Sequence, residues 1–71
     1  MNSINCNTSF QTSENNMTQH FGQRVRMVTN FSTKCTGVFV DNDLRMKEND
    51  LSVREYEKLQ LEVVKISESL N

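Results

Sequence analysis

The sequence predicts an α+β domain: a short antiparallel β-meander of two or three strands followed by one C-terminal amphipathic helix, with a flexible polar arm in front. Three observations carry this. Residues 1–20 are rich in Asn, Ser, Thr and Gln, with Glu14 as their only acid or Lys/Arg. Residues 21–47 show apolar residues in alternation, interrupted by Asn- and Asp-containing turns. Residues 52–70 carry an apolar stripe at helical spacing, with no Gly or Pro.

The arm comes first. Its composition offers too little apolar surface to offset the entropy of ordering a chain, which predicts flexibility over residues 1–20. Ile4, Phe10 and Met17 are its larger apolar residues, read as isolated surface hydrophobes or as anchors that order on a partner. The domain proper is expected over residues 21–71.

Phe21, Val25, Met27 and Phe31 fall at odd positions with Arg24 and Arg26 between them. This period of two is the mark of a strand with one buried face. Residues 30–33 read as a turn. Residues 34–40 then bring Cys35, Val38, Phe39 and Val40, a β-rich run with apolar residues on both faces. Asp41, Asn42 and Asp43 signal a tight turn, because Asn and Asp tolerate left-handed backbone. Residues 44–47 alternate again and give a short third strand.

The helix is specified more firmly. Ser52 and Glu55 have the S-x-x-E spacing of a capping box, in which hydroxyl and carboxylate each satisfy a backbone N–H of the first turn. Leu51 and Tyr56 occupy the two positions of a hydrophobic staple. Tyr56, Leu59, Val63, Ile66 and Leu70 follow at spacings of 3, 4, 3 and 4, forming one stripe. Val53, Leu61 and Val64 lie on the opposite side, among Glu57 and Glu68. A helix that covers one sheet needs one apolar face, so the second patch is a candidate contact for another chain.

Composition narrows the function. At 71 residues and 35% apolar content, the chain holds one small domain with a modest core. Its net charge of −1 lacks the basic excess common in nucleic-acid-binding domains. No apolar run approaches the roughly 20 residues of a membrane span. The first residues lack the basic and apolar regions of a secretory signal, so a cytoplasmic protein is expected. The sequons at Asn7, Asn16 and Asn30 then read as chance products of an Asn/Ser/Thr-rich chain. Cys6 and Cys35 are the only cysteines. They could pair in an oxidising compartment; the expectation is two reduced thiols, with Cys35 buried as a small apolar residue.

Catalytic and metal chemistry find little support. His20 is the only histidine, so a Cys/His nucleophile would have to join it to Cys35. Cys6, His20 and Cys35 match no zinc spacing. The stretch from Asp41 begins like a calcium loop, but Arg45 stands at the fifth position and the glycine that should follow is absent. Gly22 and Gly37, the only glycines, make no phosphate loop. No metal and no cofactor are expected.

Two binding functions remain. The first is a non-catalytic small regulatory protein that binds another protein, itself included as a homodimer, through the C-terminal helix. Small inhibitors, antitoxin-like and phage-encoded regulators share this size and composition. Its contact residues would be Val53, Leu61 and Val64, with Tyr56, Leu59, Val63 and Ile66 of the main stripe. The alternative is a dimeric nucleic-acid-binding regulator. Its Arg24, Arg26 and Lys34, a stretch without acids, would make a basic β-ribbon against phosphate.

Overall fold

A computed structural model of the chain describes residues 6–11 and 14–70. Elements follow in the order α1 (Cys6–Ser9), β1 (Asn16–His20), β2 (Val25–Asn30), β3 (Cys35–Val40), β4 (Asp43–Asn49) and α2 (Val53–Ser69). The four strands form one antiparallel sheet in the order β1-β2-β3-β4, and α2 lies across one face. The α+β class and the meander-then-helix order hold. Among the described residues the strand count is four, not two or three.

The additional strand is β1, inside the stretch expected to be a flexible arm. It pairs with β2 from Asn16 opposite Asn30 to His20 opposite Arg26. Its sequence, Asn-Met-Thr-Gln-His, has no apolar alternation. Order comes instead from the backbone ladder and from polar side chains. The Asn30 Nδ2 donates to Asn16 Oδ1 at 2.7 Å and to the Ser9 carbonyl at 3.1 Å. The arm reading is therefore corrected for residues 6–11 and 14–20. Ile4 and the rest of residues 1–5 lie outside the described residues, as do residues 12–13 and 71.

The turns follow from their side chains. Asp41 and Asn42 both have positive φ (52° and 69°) and form the two-residue link between β3 and β4. Two left-handed residues in a row give the hairpin turn whose twist suits the flanking strands. Between β2 and β3, the Asn30 Oδ1 accepts from the N–H groups of Ser32 and Thr33, both at 2.9 Å. The β3–β4 register shifts by one at Val38/Phe39, which leaves Arg45 as the extra residue of a bulge.

The face toward α2 carries the main core: Val25, Met27, Val38 and Val40 from the sheet, Leu59 and Val63 from the helix. Phe21, Met46, Leu51, Tyr56, Ile66 and Leu70 close its rim. The capping box is formed on both sides, with Ser52 Oγ accepting from Glu55 N–H and the Glu55 carboxylate accepting from Ser52 N–H. The cap holds the Glu55 carboxyl below the usual carboxylate range, because the charged form accepts the Ser52 backbone N–H.

The far face is also covered, as the apolar residues on both faces of the 34–40 run suggest and the alternation of residues 21–31 does not. The first expected strand was to be half-buried, yet Val28 and Asn30 on its other side are buried as well. The cover is the segment from Cys6 to Phe10. A Cβ at Gly37 would stand 2.8 Å from the Phe10 ring, so glycine there admits the ring against the backbone. Phe10 meets Phe39 edge to face at 5.7 Å between centroids. Cys6 and Cys35 are joined by a disulfide, with Cα atoms 5.6 Å apart. The expectation of two reduced thiols is thus corrected. Cys35 is buried as expected, but as half of a crosslink that fastens the amino-terminal segment to β3.

The sequons at Asn16 and Asn30 fall on side chains engaged in hydrogen bonds within the fold, Asn30 buried and Asn16 partly so. Asn30 is 4% exposed, and the Asn16 Nδ2 donates to the Gln11 carbonyl at 2.7 Å.

Candidate functional site

The two apolar sides of α2 have separate fates. Leu59 and Val63 are buried on the sheet, and Tyr56, Ile66 and Leu70 pack beside them. Those positions are committed within the molecule. Leu61 (65% exposed), Val53 (79%) and Val64 remain open. The structure therefore divides the sequence-derived contact residues. Val53, Leu61 and Val64 face outward, whereas Tyr56, Leu59, Val63 and Ile66 belong wholly or partly to the core.

The open side has a definite direction. Gln19 of β1 receives two hydrogen bonds from α2, one from the Tyr56 hydroxyl (3.2 Å) and one from Gln60 Nε2 (3.3 Å). The flank of α2 that carries Tyr56 and Gln60 thus overhangs β1. Val53 and Val64 bracket that pair at i−3 and i+4, so they lie on the same strip of the helix. Leu61 stands beside the strip, turned further from the sheet.

At its amino-terminal end the strip opens into a hollow of about 380 Å³. Met17, Phe31, Leu51, Val53 and Tyr56 line it, together with the polar Thr29, Asn30, Thr36 and Ser52 and one cation, Lys34. Hydroxyls from Thr36, Thr29 and Tyr56 stand in a row, at 3.5 and 3.3 Å. Of the five large apolar side chains left exposed among the described residues, Met17, Phe31 and Val53 ring this hollow and Leu61 and Val64 continue it along α2. All the large exposed hydrophobes of the described residues are thereby gathered on the α2 flank and the end of the hollow. Scattered surface hydrophobes need no explanation, but a contiguous group marks a contact surface.

Sequence reasoning found the helix half of this surface and missed the sheet half. Met17 was weighed only as an arm residue, and Phe31 was expected on the buried side of its strand. The turn after Asn30 carries Phe31 off the end of β2, where it is 61% exposed.

The basic residues do not converge. Arg24 precedes β2 and grips Asp41 with two hydrogen bonds, Nε to Oδ1 at 2.8 Å and Nη2 to Oδ2 at 2.6 Å. That pair holds the Asp41 carboxyl below its ordinary range and raises the Arg24 guanidinium, chiefly through the hydrogen bonds. Arg26 stacks over the Phe39 ring at 4.1 Å. Lys34 sits in the turn at the opposite end of β2, six strand residues from Arg24, or roughly 20 Å at 3.3 Å per residue. Arg24 and Arg26, expected on one face of one strand, are thus engaged by Asp41 and Phe39, and Lys34 lies apart from both.

His20 ends β1, and the sulfur of Cys35 is bonded to Cys6. The Cys/His pair considered from the sequence is thus not available as a nucleophile. Among the described residues, no three His, Cys, Asp or Glu side chains gather where they could hold a metal ion. No described helix is long and apolar enough to cross a membrane.

No family model, no curated protein and no solved structure matches the chain.

Proposed function

We propose that this chain is a non-catalytic small regulatory protein that acts by binding another protein chain, through the outer flank of α2 and the hollow beside it. One observation carries the reading: every large exposed apolar side chain of the described residues lies on α2's open side or around that hollow. The surface combines aromatic and aliphatic side chains with a few hydroxyls and a single cation, Lys34, a mixture that suits a protein contact better than a phosphate-binding face. It needs no refolding of the core, because Leu59 and Val63 lie outside that surface and only Tyr56 of the stripe, at the core's rim, is shared with the hollow.

The disulfide bears on where such a protein would act. Disulfides persist in oxidising compartments and are scarce in the reducing cytosol. The proposal therefore places the working protein in an oxidising space, in place of the cytoplasm expected from sequence.

The test is affinity purification with two baits, the native chain and Val53→Asp/Leu61→Asp. Both substituted residues are well exposed, so the double variant should keep the wild-type circular dichroism spectrum and unfolding midpoint. The native bait should retain a specific protein, or further copies of itself, that the variant loses. Equal retention by both baits would contradict the reading, as would a native bait that retains nothing.

A further inference from the structure

The two edges of the sheet are built differently. β4 carries Asp43, Arg45, Lys47 and Glu48, and it bulges at Arg45. Charges and bulges are the usual protection of an edge against pairing with another strand. Two copies of β4 paired antiparallel about Met46 would also set Arg45 opposite Lys47 of the other copy, a like-charge contact. β1, the other edge, has none of these devices. It is Asn-Met-Thr-Gln-His, with no Lys, Arg, Asp or Glu, no proline and an unbroken register.

The free groups of β1 can be assigned. Phe31 N–H donates to the Asn15 carbonyl and Phe21 N–H to the Val25 carbonyl. In an antiparallel ladder, hydrogen-bonded and non-hydrogen-bonded pairs alternate, so the odd residues of β1 bond inward to β2. Asn16, Thr18 and His20 then turn their N–H and C=O groups outward. Among the described residues no strand lies on that side.

We infer that β1 is a strand-addition edge whose occupant is a second copy of this chain, paired antiparallel about Thr18 into a continuous eight-stranded sheet. This rests on the reading of the α2 flank as a protein-binding surface, and it names the partner. A second copy fits this edge because the strand is self-complementary. Pairing about Thr18 sets Thr18 opposite Thr18, Asn16 opposite His20 and Met17 opposite Gln19, with no like charges facing. The outward groups of Asn16, Thr18 and His20 are then in the hydrogen-bonded phase, which gives about six backbone bonds across the axis.

A five-residue ladder alone is marginal. The symmetry supplies the remainder. A two-fold axis normal to the sheet keeps both copies of α2 on the same face. Each helix packs over β2, so the two stand roughly 14 Å apart, three strand spacings. The groove between them is floored by Met17 and Gln19 of both copies. Its walls are the overhanging flanks that carry Val53, Gln60 and Val64. One act of pairing thus completes the open edge of the sheet and sets the Val53–Val64 strips of the two copies facing across the groove, with Leu61 outside it.

The test is sedimentation equilibrium of the full oxidised chain over a wide concentration range. The native chain should reach twice its monomer mass. Thr18→Pro removes an outward N–H and leaves the β2 ladder intact, as proline at an edge allows. Thr18→Lys keeps that N–H and faces two cations across the axis, so it stands if the proline variant does not fold. Each should raise the dissociation constant by more than about tenfold. A chain that stays monomeric throughout overturns the inference, and so does a dimer indifferent to both variants. A dimer that survives both but dissociates in Leu61→Asp overturns strand pairing while leaving the α2 surface as a protein contact.

Discussion

Reducing the Cys6–Cys35 bond should bring this domain close to its limit of stability. The bond closes a loop spanning a sequence separation of 29 residues. A crosslink of that length restricts the unfolded chain by about 3.5 kcal/mol at 25 °C. A domain of this size has only about 3–5 kcal/mol from its core, so the crosslink is comparable to the whole. The structure also says which part suffers first. Cys6 fastens the segment that covers Val28 and Gly37 on the far face, while Met27, Val38, Leu59 and Val63 lie on the other side. Circular dichroism melts of the oxidised chain, the dithiothreitol-reduced chain and Cys6→Ala/Cys35→Ala would measure the effect. The expected fall in midpoint is about 15–25 °C. Below the new midpoint the helical signal of α2 should persist. Equal midpoints, or prompt alkylation of both sulfurs in the oxidised folded chain, would refute this reasoning.

Other outcomes follow from the same structure. Leu59→Asp places a charge in the core and should unfold the chain, whereas Leu61→Asp should keep the native spectrum and impair association only. Comparable loss of spectrum in both would show that the two sides of α2 are wrongly assigned. Ser52→Ala removes the cap and should cost about 1 kcal/mol in urea unfolding; no change in midpoint would argue against the box. The carboxyls of Asp41 and Glu55 are both lowered in the folded state. Their contribution to stability is therefore fully present above their unfolded values and is lost as pH falls through the folded ones, below about pH 5. Asp41→Asn/Glu55→Gln should flatten the acid limb of a midpoint-against-pH curve, and an unaltered limb would oppose the assignment.

The carboxyl-terminal half of the fold was legible because its signals are local. Ser52, Glu55 and the 3-4 stripe define α2 within one stretch of chain, and Asp41 with Asn42 defines the β3–β4 hairpin. The amino-terminal half depends on contacts far apart in sequence. β1 has no apolar period to betray it; its pairing with β2 is a matter of backbone and of the Asn30 amide. Val28 reads as the polar-side residue of a half-buried strand until Phe10 and Cys6 are known to lie over it. Two cysteines alone do not declare whether they meet. The candidate site shows the same division. Val53, Leu61 and Val64 could be read off the helix, but Met17 and Phe31 enter the surface only through the sheet's end and the turn after β2.

The most direct test of the binding surface is amide hydrogen exchange at the two sheet edges, followed by NMR as concentration rises. With β1 as the pairing edge, the outward amides of Asn16, Thr18 and His20 should become protected while those along β4 keep their exchange rates. Protection that grows along β4, or exchange at Thr18 that stays fast in the associated protein, would contradict it.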